Sequence, residues 1–207
     1  MEIVQNKLKD FGYLCITNLY TEKELIFIKN EIRNINYILD SVPDIQVERY
    51  NTSDKNDDGS PKMSGNGIYL DSLYFRRDCS AILSSNRKIF RDPIMTKMME
   101  THPSNVAFNR ITTDHSLLNR YSYGDEYSTH FDISSFSAIT FFNLNSNEIL
   151  GGELVFADYD ISFKFKDNFC IIFPSWIEHH SNKVESKNTY RYSLSQFGVI
   201  GYNRIGN

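Results

Sequence analysis

The rhythm of apolar positions changes near the middle of the chain. In the first third, Tyr13-Leu14-Cys15-Ile16 is a short run of strand-forming residues between Gly12 and Asn18, and it predicts a β-strand. Thr21-Glu22-Lys23-Glu24 has the form of a capping box, and behind it Leu25, Ile28, Ile32 and Ile35 recur at helical spacing. A helix from Glu22 to about Tyr37, with one inward face, follows from that spacing. Arg49 to Gly67 has almost no apolar residue and no period, so it reads as a mobile surface loop, either plain disorder or a lid over a site. From Ile68 to about Glu100 the apolar residues fall into helix-like clusters, among them Leu70, Leu73, Ile82, Leu83, Met95 and Met99, broken near Asp92-Pro93.

From Val106 onward short runs rich in Tyr, Phe, Ile and Val alternate with turn residues such as Gly124-Asp125, Gly151-Gly152 and Lys166-Asp167-Asn168. About eight antiparallel strands fit into roughly ninety residues. Helices followed by many short strands predict a mostly β protein with N-terminal helices (α+β), built as a helix-supported jelly roll or cupin-like double sheet. No internal repeat or linker divides it. One domain over 1–207 is expected, with 1–104 as helical support carrying the loop 49–67 and 105–200 as the double-sheet core.

Composition narrows the partners. Thirteen Tyr, fifteen Phe and one Trp, 14% of the 207 residues, are ample for a large core. The net charge is −4 without any Lys/Arg cluster, which disfavours nucleic acid as the main partner. No run approaches the ~20 apolar residues of a membrane span. Met1 to Lys7 lacks the basic-then-apolar profile of a signal peptide, so a cytoplasmic protein is expected. Cys15, Cys79 and Cys170 stand far apart in apolar contexts and read as core thiols rather than a disulfide or zinc set.

The strand-rich half holds the chemistry. His130 and Asp132 are two residues apart, a spacing that on a strand points both side chains to one face. Two solvent-facing polar residues at a strand end would have the same spacing. The apolar run Phe169 to Pro174 leads to His179, 47 residues after Asp132. A jelly roll that brought His179 beside the pair would complete a two-His, one-carboxylate facial triad, the ligand type of non-haem Fe(II) oxygenases. Arg191 and Ser193 repeat the two-residue spacing on a later strand. Arg191 either faces solvent at a sheet edge or, pointing inward, needs an anionic partner such as a ligand carboxylate.

Four elements then match one family in order and spacing. Tyr121-Ser122-Tyr123-Gly124-Asp125-Glu126-Tyr127-Ser128-Thr129-His130-Phe131-Asp132 resembles the Tyr-x-x-Gly-x-x-Tyr/Phe-x-x-His-x-Asp segment of prolyl 4-hydroxylase-like Fe(II)/2-oxoglutarate-dependent dioxygenases. Gly151 to Phe156 is similar to that family's GGEL-x-F strand, Phe173 to His179 to its FPS-x-x-x-His element, and Arg191 to Leu194 to its Arg-x-Ser strand. The resemblance covers about residues 105 to 200 and implies a double-stranded β-helix core. It implies His130, Asp132 and His179 as iron ligands, and Arg191, Ser193 and Tyr121 as cosubstrate contacts, with a core tyrosine as the other reading of Tyr121. His179 to Arg191 is twelve residues where the family has ten or eleven, so His180 competes with His179. The Phe-Pro-Ser spacing favours His179, and Gly152 and Glu153 read as turn and strand elements.

The implied activity is hydroxylation of an unactivated C–H in a peptidyl-prolyl or small-molecule substrate. Fe(II), 2-oxoglutarate and O2 would be consumed to give succinate and CO2, with ascorbate as a stimulant. Asp132 in the carboxylate position argues for hydroxylation over halogenation. A non-catalytic cupin-like metal or small-molecule binding protein is the competing class, and a scaffold role the third.

Overall fold

The structure is a computed structural model that describes residues 1–41, 55–60, 62–145 and 148–201. Its strands are β1 (Glu2–Lys7), β2 (Gly12–Thr17), β3 (Asn66–Tyr69), β4 (Ile111–Tyr121), β5 (Tyr127–His130), β6 (Phe136–Phe142), β7 (Leu154–Phe156), β8 (Ile161–Phe163), β9 (Phe169–Pro174), β10 (His179–Ser181) and β11 (Arg191–Ile200). The helices are α1 (Glu22–Ser41), α2 (Leu70–Leu73), α3 (Ala81–Asn86) and α4 (Pro93–Met99). All strand pairs are antiparallel and form two sheets, ordered β1-β2-β9-β6-β11-β4-β3 and β5-β10-β7-β8. The mostly β double sheet with N-terminal helices matches the expected fold class.

The large sheet is buried on both faces, which is why its central strands read as near-continuous apolar runs. Phe136, Ala138 and Phe142 of β6, Cys170 and Ile172 of β9, and Tyr192 and Leu194 of β11 pack with Ile28 and Ile32 of α1 in one core. The alternate residues Ile139, Phe141, Ile171 and Phe173 point the other way, toward the small sheet, and meet Leu154, Phe156 and Phe163. Period-two alternation thus divides each strand between a helix-facing layer and an inter-sheet layer. Each fully buried large apolar side chain contributes about 1.5–3 kcal/mol.

Local signals explain the helices. Thr21 N donates to Glu24 Oε2 at 2.8 Å and Glu24 N to Thr21 Oγ1 at 3.3 Å, the reciprocal capping box. Helix α1 runs to Ser41, one turn beyond the expected Tyr37. Arg120 reaches from β4 to Asn36 and to Asp40 at 2.8 Å and ties that last turn down. The break at Asp92-Pro93 is the start of α4, where Asp92 Oδ1 accepts from Ile94 N and Met95 N and Pro93 fills the first turn.

Two elements differ from expectation. Strand β1 carries only the pair Ile3-Val4 as an apolar signal: it is an edge strand, held by its backbone register with β2 from Glu2↔Thr17 to Lys7↔Gly12 and by Ile3 against the core. Ile68 and Tyr69, assigned by their spacing to a helical stretch, belong to β3 and pair with Leu118 and Leu117. The support region 1–104 therefore supplies three strands to the large sheet as well as helices.

Residues 49–54 and 61 of the expected loop lie outside the described residues. Its far end is fixed to the sheets. Met63 is buried and bridges Tyr127, Ser128 N donates to Lys62 O at 2.8 Å, and Gly65 lies against the Tyr121 ring. Cys79 is a further correction: it sits exposed in a short 3-10 turn over Arg77–Cys79, while Cys170 is buried and Cys15 half-buried.

Candidate functional site

The small sheet brings the distant histidines together. His130 at the end of β5 lies opposite His179 at the start of β10, and β10 also pairs with β7 through His179↔Phe156. Asp132 follows His130 after one residue, and its backbone N–H donates to Ser175 O at 3.0 Å. One ligand-type atom from each of His130, Asp132 and His179 lies within 4.8 Å of the others. His130 Nε2 is 3.7 Å from Asp132 Oδ1, and His179 Nε2 is 3.6 Å from Asp132 Oδ2. His180, one residue along β10, is paired in register with Val155 and stands outside this group.

Backbone carbonyls set the tautomers. His130 Nδ1 lies 2.8 Å from Ser128 O, and His179 Nδ1 lies 2.9 Å from Ile177 O. A carbonyl only accepts, so both Nδ1 atoms carry a proton, and in the neutral form of either ring Nε2, on the Asp132 side, is the nitrogen with the lone pair. The Tyr127 ring stacks on His130 at 3.6 Å and Phe173 meets His179 edge-on at 5.0 Å, so both imidazoles are clamped by aromatics. Burial, and then the neighbouring His179, lower the His130 pKa to about 4, which keeps this imidazole neutral and free to donate its lone pair.

Arg191 is the second unusual feature. It is 1% exposed at the start of β11, opposite Tyr121 of β4. Its Nη1 donates to Ser193 Oγ and its Nη2 to Ser181 Oγ, each at 3.2 Å, while Nε has no partner. The guanidinium lies over Tyr121 at 4.8 Å and Phe141 at 4.9 Å. It forms no ion pair among the described residues. Burial pulls its pKa below the ordinary guanidinium value, and burial likewise pushes the Tyr121 phenol up to about 12. Gly152 makes room for this side chain: at φ +69°, an added Cβ would stand 2.8 Å from Arg191 Cδ.

Both features open into one cavity of about 470 Å³, lined by His130, Asp132 and His179 on the small-sheet side and by Tyr121, Arg191 and Ser193 on the large sheet. The site residues expected from the sequence are thus gathered around a single space. Other residues at or behind this cavity carry no role in the sequence reading. Asn119 is buried with its Oδ1 unpartnered, Ser181 touches Arg191, and Ser137 donates to Asp132. A lone hydroxyl in the otherwise apolar run Phe136-Ser137-Ala138-Ile139 was the available signal for Ser137.

Comparison with solved structures places this architecture. The prolyl-4-hydroxylase of Pseudomonas putida aligns with a TM-score of 0.63 at 13% identity, over 92% of this chain and 94% of that one. The fold is that of the prolyl 4-hydroxylase-like 2-oxoglutarate oxygenases. The viral collagen prolyl hydroxylase of Paramecium bursaria Chlorella virus-1, solved as a 2-oxoglutarate complex, aligns at 0.57 and 14% identity over 91% and 96% of the two chains. A Trichoplax adhaerens prolyl hydroxylase, solved with a peptide fragment of the hypoxia inducible factor oxygen degradation domain, aligns at 0.58 and 12% identity over 91% and 83%. No protein-family model matches the chain, and no curated protein sequence matches it. Among the described residues no helix is long and apolar enough to cross a membrane.

Proposed function

We propose that this chain is an Fe(II)- and 2-oxoglutarate-dependent dioxygenase that hydroxylates an unactivated C–H of a peptide or small molecule. The carrying observation is one cavity that holds a His/Asp/His group at one wall and, at the other, a buried arginine that makes no ion pair among the described residues. The donor set fits the metal. Two imidazoles and one carboxylate are the facial set of non-haem iron, and the absence of thiolates from it disfavours structural zinc. The arginine fits the cosubstrate: its unpartnered Nε and planar fork suit a carboxylate, and a buried cation without a direct ion pair is costly until one forms.

His130 Nε2, His179 Nε2 and Asp132 would hold the metal, and Ser128 O and Ile177 O keep those imidazoles in the ligating tautomer. Arg191, with Ser193 and Ser181 beside it, would bind the distal carboxylate of 2-oxoglutarate, with Tyr121 below the guanidinium. Fe(II) with 2-oxoglutarate and O2 supplies oxidative decarboxylation to succinate and CO2 and delivery of one oxygen atom to the C–H. The aromatic walls Tyr127 and Phe173 exclude water from the imidazoles.

The test is succinate release from 2-oxoglutarate with added Fe(II) and ascorbate. Turnover by the native chain, abolished in His130→Ala, Asp132→Ala and His179→Ala and retained in His180→Ala, supports the reading. Turnover that survives His179→Ala and is lost in His180→Ala overturns the ligand assignment. Metal-dependent 2-oxoglutarate binding without succinate would mark a binding protein instead.

A further inference from the structure

Asp132 is the one anionic member of the metal group, and the structure surrounds it with hydroxyls that the ligand set alone does not require. Ser137 Oγ donates to Asp132 Oδ2. Ser137 Oγ is in turn 2.8 Å from Ser175 Oγ, and Ser175 Oγ is 2.5 Å from Ser134 Oγ. Ser137 and Ser175 are both 0% exposed, so no solvent competes for these contacts.

The proton directions in this chain are fixed by chemistry. An ionised carboxylate only accepts, so the single Ser137 proton goes to Asp132. Ser175 must then donate to Ser137, and Ser134 to Ser175. Ser137 and Ser175 point toward the carboxylate, and Ser134, half-buried at the far end, has the closer Ser175 Oγ and, at 3.4 Å, Phe136 O as acceptors for its proton. The three serines come from different places: the loop after Asp132, strand β6 and the end of β9. Ser175 also accepts the Asp132 backbone N–H through its carbonyl, at 3.0 Å. The segment Ser175 to Ile177 therefore holds Asp132 by backbone and side chain and holds His179 through Ile177 O at 2.9 Å.

We infer that the Ser134–Ser175–Ser137 hydroxyl chain is a positioning device that ties down Asp132 Oδ2 and presents Oδ1 as a single-oxygen ligand to the metal. The inference rests on the reading of His130, Asp132 and His179 as the metal site. Accepting from Ser137 fixes the rotation of the carboxylate, with Oδ1 3.7 Å from His130 Nε2 and Oδ2 3.6 Å from His179 Nε2, so that a metal held there would meet it in one orientation. The serines touch neither metal nor substrate and act through Asp132. Hydrogen-bond partners of metal ligands commonly account for about 10–100-fold in metal affinity.

The experiment is Mn(II) and Co(II) titration of the folded chain, read by calorimetry and by the Co(II) visible spectrum, with circular dichroism as the check on folding. Ser137→Ala is expected to keep the fold, weaken Mn(II) binding by roughly ten-fold or more, and change the Co(II) bands as the carboxylate becomes free to bind through both oxygens. Ser175→Ala should act in the same direction with a smaller effect, and Ser137→Thr should restore most of the affinity. If Ser137→Ala does not fold, Ser134→Ala at the half-buried end carries the test with a few-fold loss. Native metal affinity and an unchanged Co(II) spectrum in the folded serine variants would overturn the positioning role while leaving the metal site in place. A folded native chain that binds neither ion would overturn the metal reading itself, and this inference with it.

Discussion

The two halves of the large sheet treat the space between the sheets in opposite ways. Under β6 and β9 the inward positions are Ile139, Phe141, Ile171 and Phe173, which with Phe156 and Phe163 fill that space with apolar side chains. Under β4 and β11 the inward positions are Asn119, Tyr121, Arg191, Ser193 and Ser195, which line a cavity. The burial is comparable: Phe173 is 0% exposed and Arg191 only 1%. The filled half gains stability from every inward side chain. The lined half spends some of it, since a buried guanidinium with an unpartnered Nε and an Asn119 oxygen without a donor are both unfavourable. Sites are commonly found where local packing rules are broken, and here the break lies within one sheet, on the strand next to a conventional core.

The largest effect should come from emptying the filled half. Phe156 touches Phe11, Tyr13, Phe163 and Phe173 by ring contacts. Phe156→Ala should cost about 3–5 kcal/mol, lowering the thermal midpoint by on the order of 10 °C in a calorimetric scan. A loss below about 1 kcal/mol would mean that this half is no better packed than the other.

The opposite substitution should have the opposite outcome in the lined half. Arg191→Met replaces a buried charge by an apolar side chain, so the empty protein should keep its stability or gain about 1–4 kcal/mol. The same change should remove about 2–5 kcal/mol of 2-oxoglutarate binding, raising the required concentration by roughly thirty-fold or more. Arg191→Lys should recover part of it, because an ammonium lacks the planar fork. A destabilised Arg191→Met protein with unchanged 2-oxoglutarate binding would return Arg191 to a structural role.

A smaller effect is expected from the floor under Arg191. Gly152→Ala would force a Cβ to 2.8 Å from Arg191 Cδ at a positive φ. It should cost about 1–3 kcal/mol in stability and raise the 2-oxoglutarate requirement several-fold, both readable in one thermal-shift titration. Native values in both would show that the contact is relieved without moving Arg191.

The smallest effect is chemical. Burial pushes Cys170 of β9 up to about 12 and Cys15 up to about 11, whereas Cys79 is exposed. At pH 8 very little of either raised thiol is ionised, so iodoacetamide should label Cys79 first and reach Cys170 only on unfolding. Equal labelling rates in the folded protein, measured by mass spectrometry, would show that β9 opens as readily as the surface.

Much of this contrast is written in residue types. The short apolar runs from Val106 onward and the two-residue spacing at Arg191/Ser193 carry a period that survives into the structure, and the capping box at Thr21 forms as expected. Asp132, by contrast, lies beyond the end of β5 and is held by Ser175 O rather than by strand alternation. Strand β1 carried only Ile3-Val4, since an edge strand is held largely by backbone pairing, and β3 was masked by the helix-like cluster that follows it. The spacing of His179 and His180 to Arg191 left two candidates, and only the pairing of β10 with β5 puts His179 in the group. The serines around Asp132 were hidden for another reason. Their contacts join the loop after Asp132, β6 and the end of β9, and no local period records a meeting of three separate segments.

The central claim is that the lined half is built to receive a 2-oxo acid beside a metal. It is tested most directly by calorimetric titration of 2-oxoglutarate into the Mn(II)-loaded chain, with the metal-free chain and Arg191→Met alongside. The account predicts one saturable site per chain that needs both the metal and Arg191. No binding to the metal-loaded native chain, or equally tight binding to Arg191→Met, would contradict it.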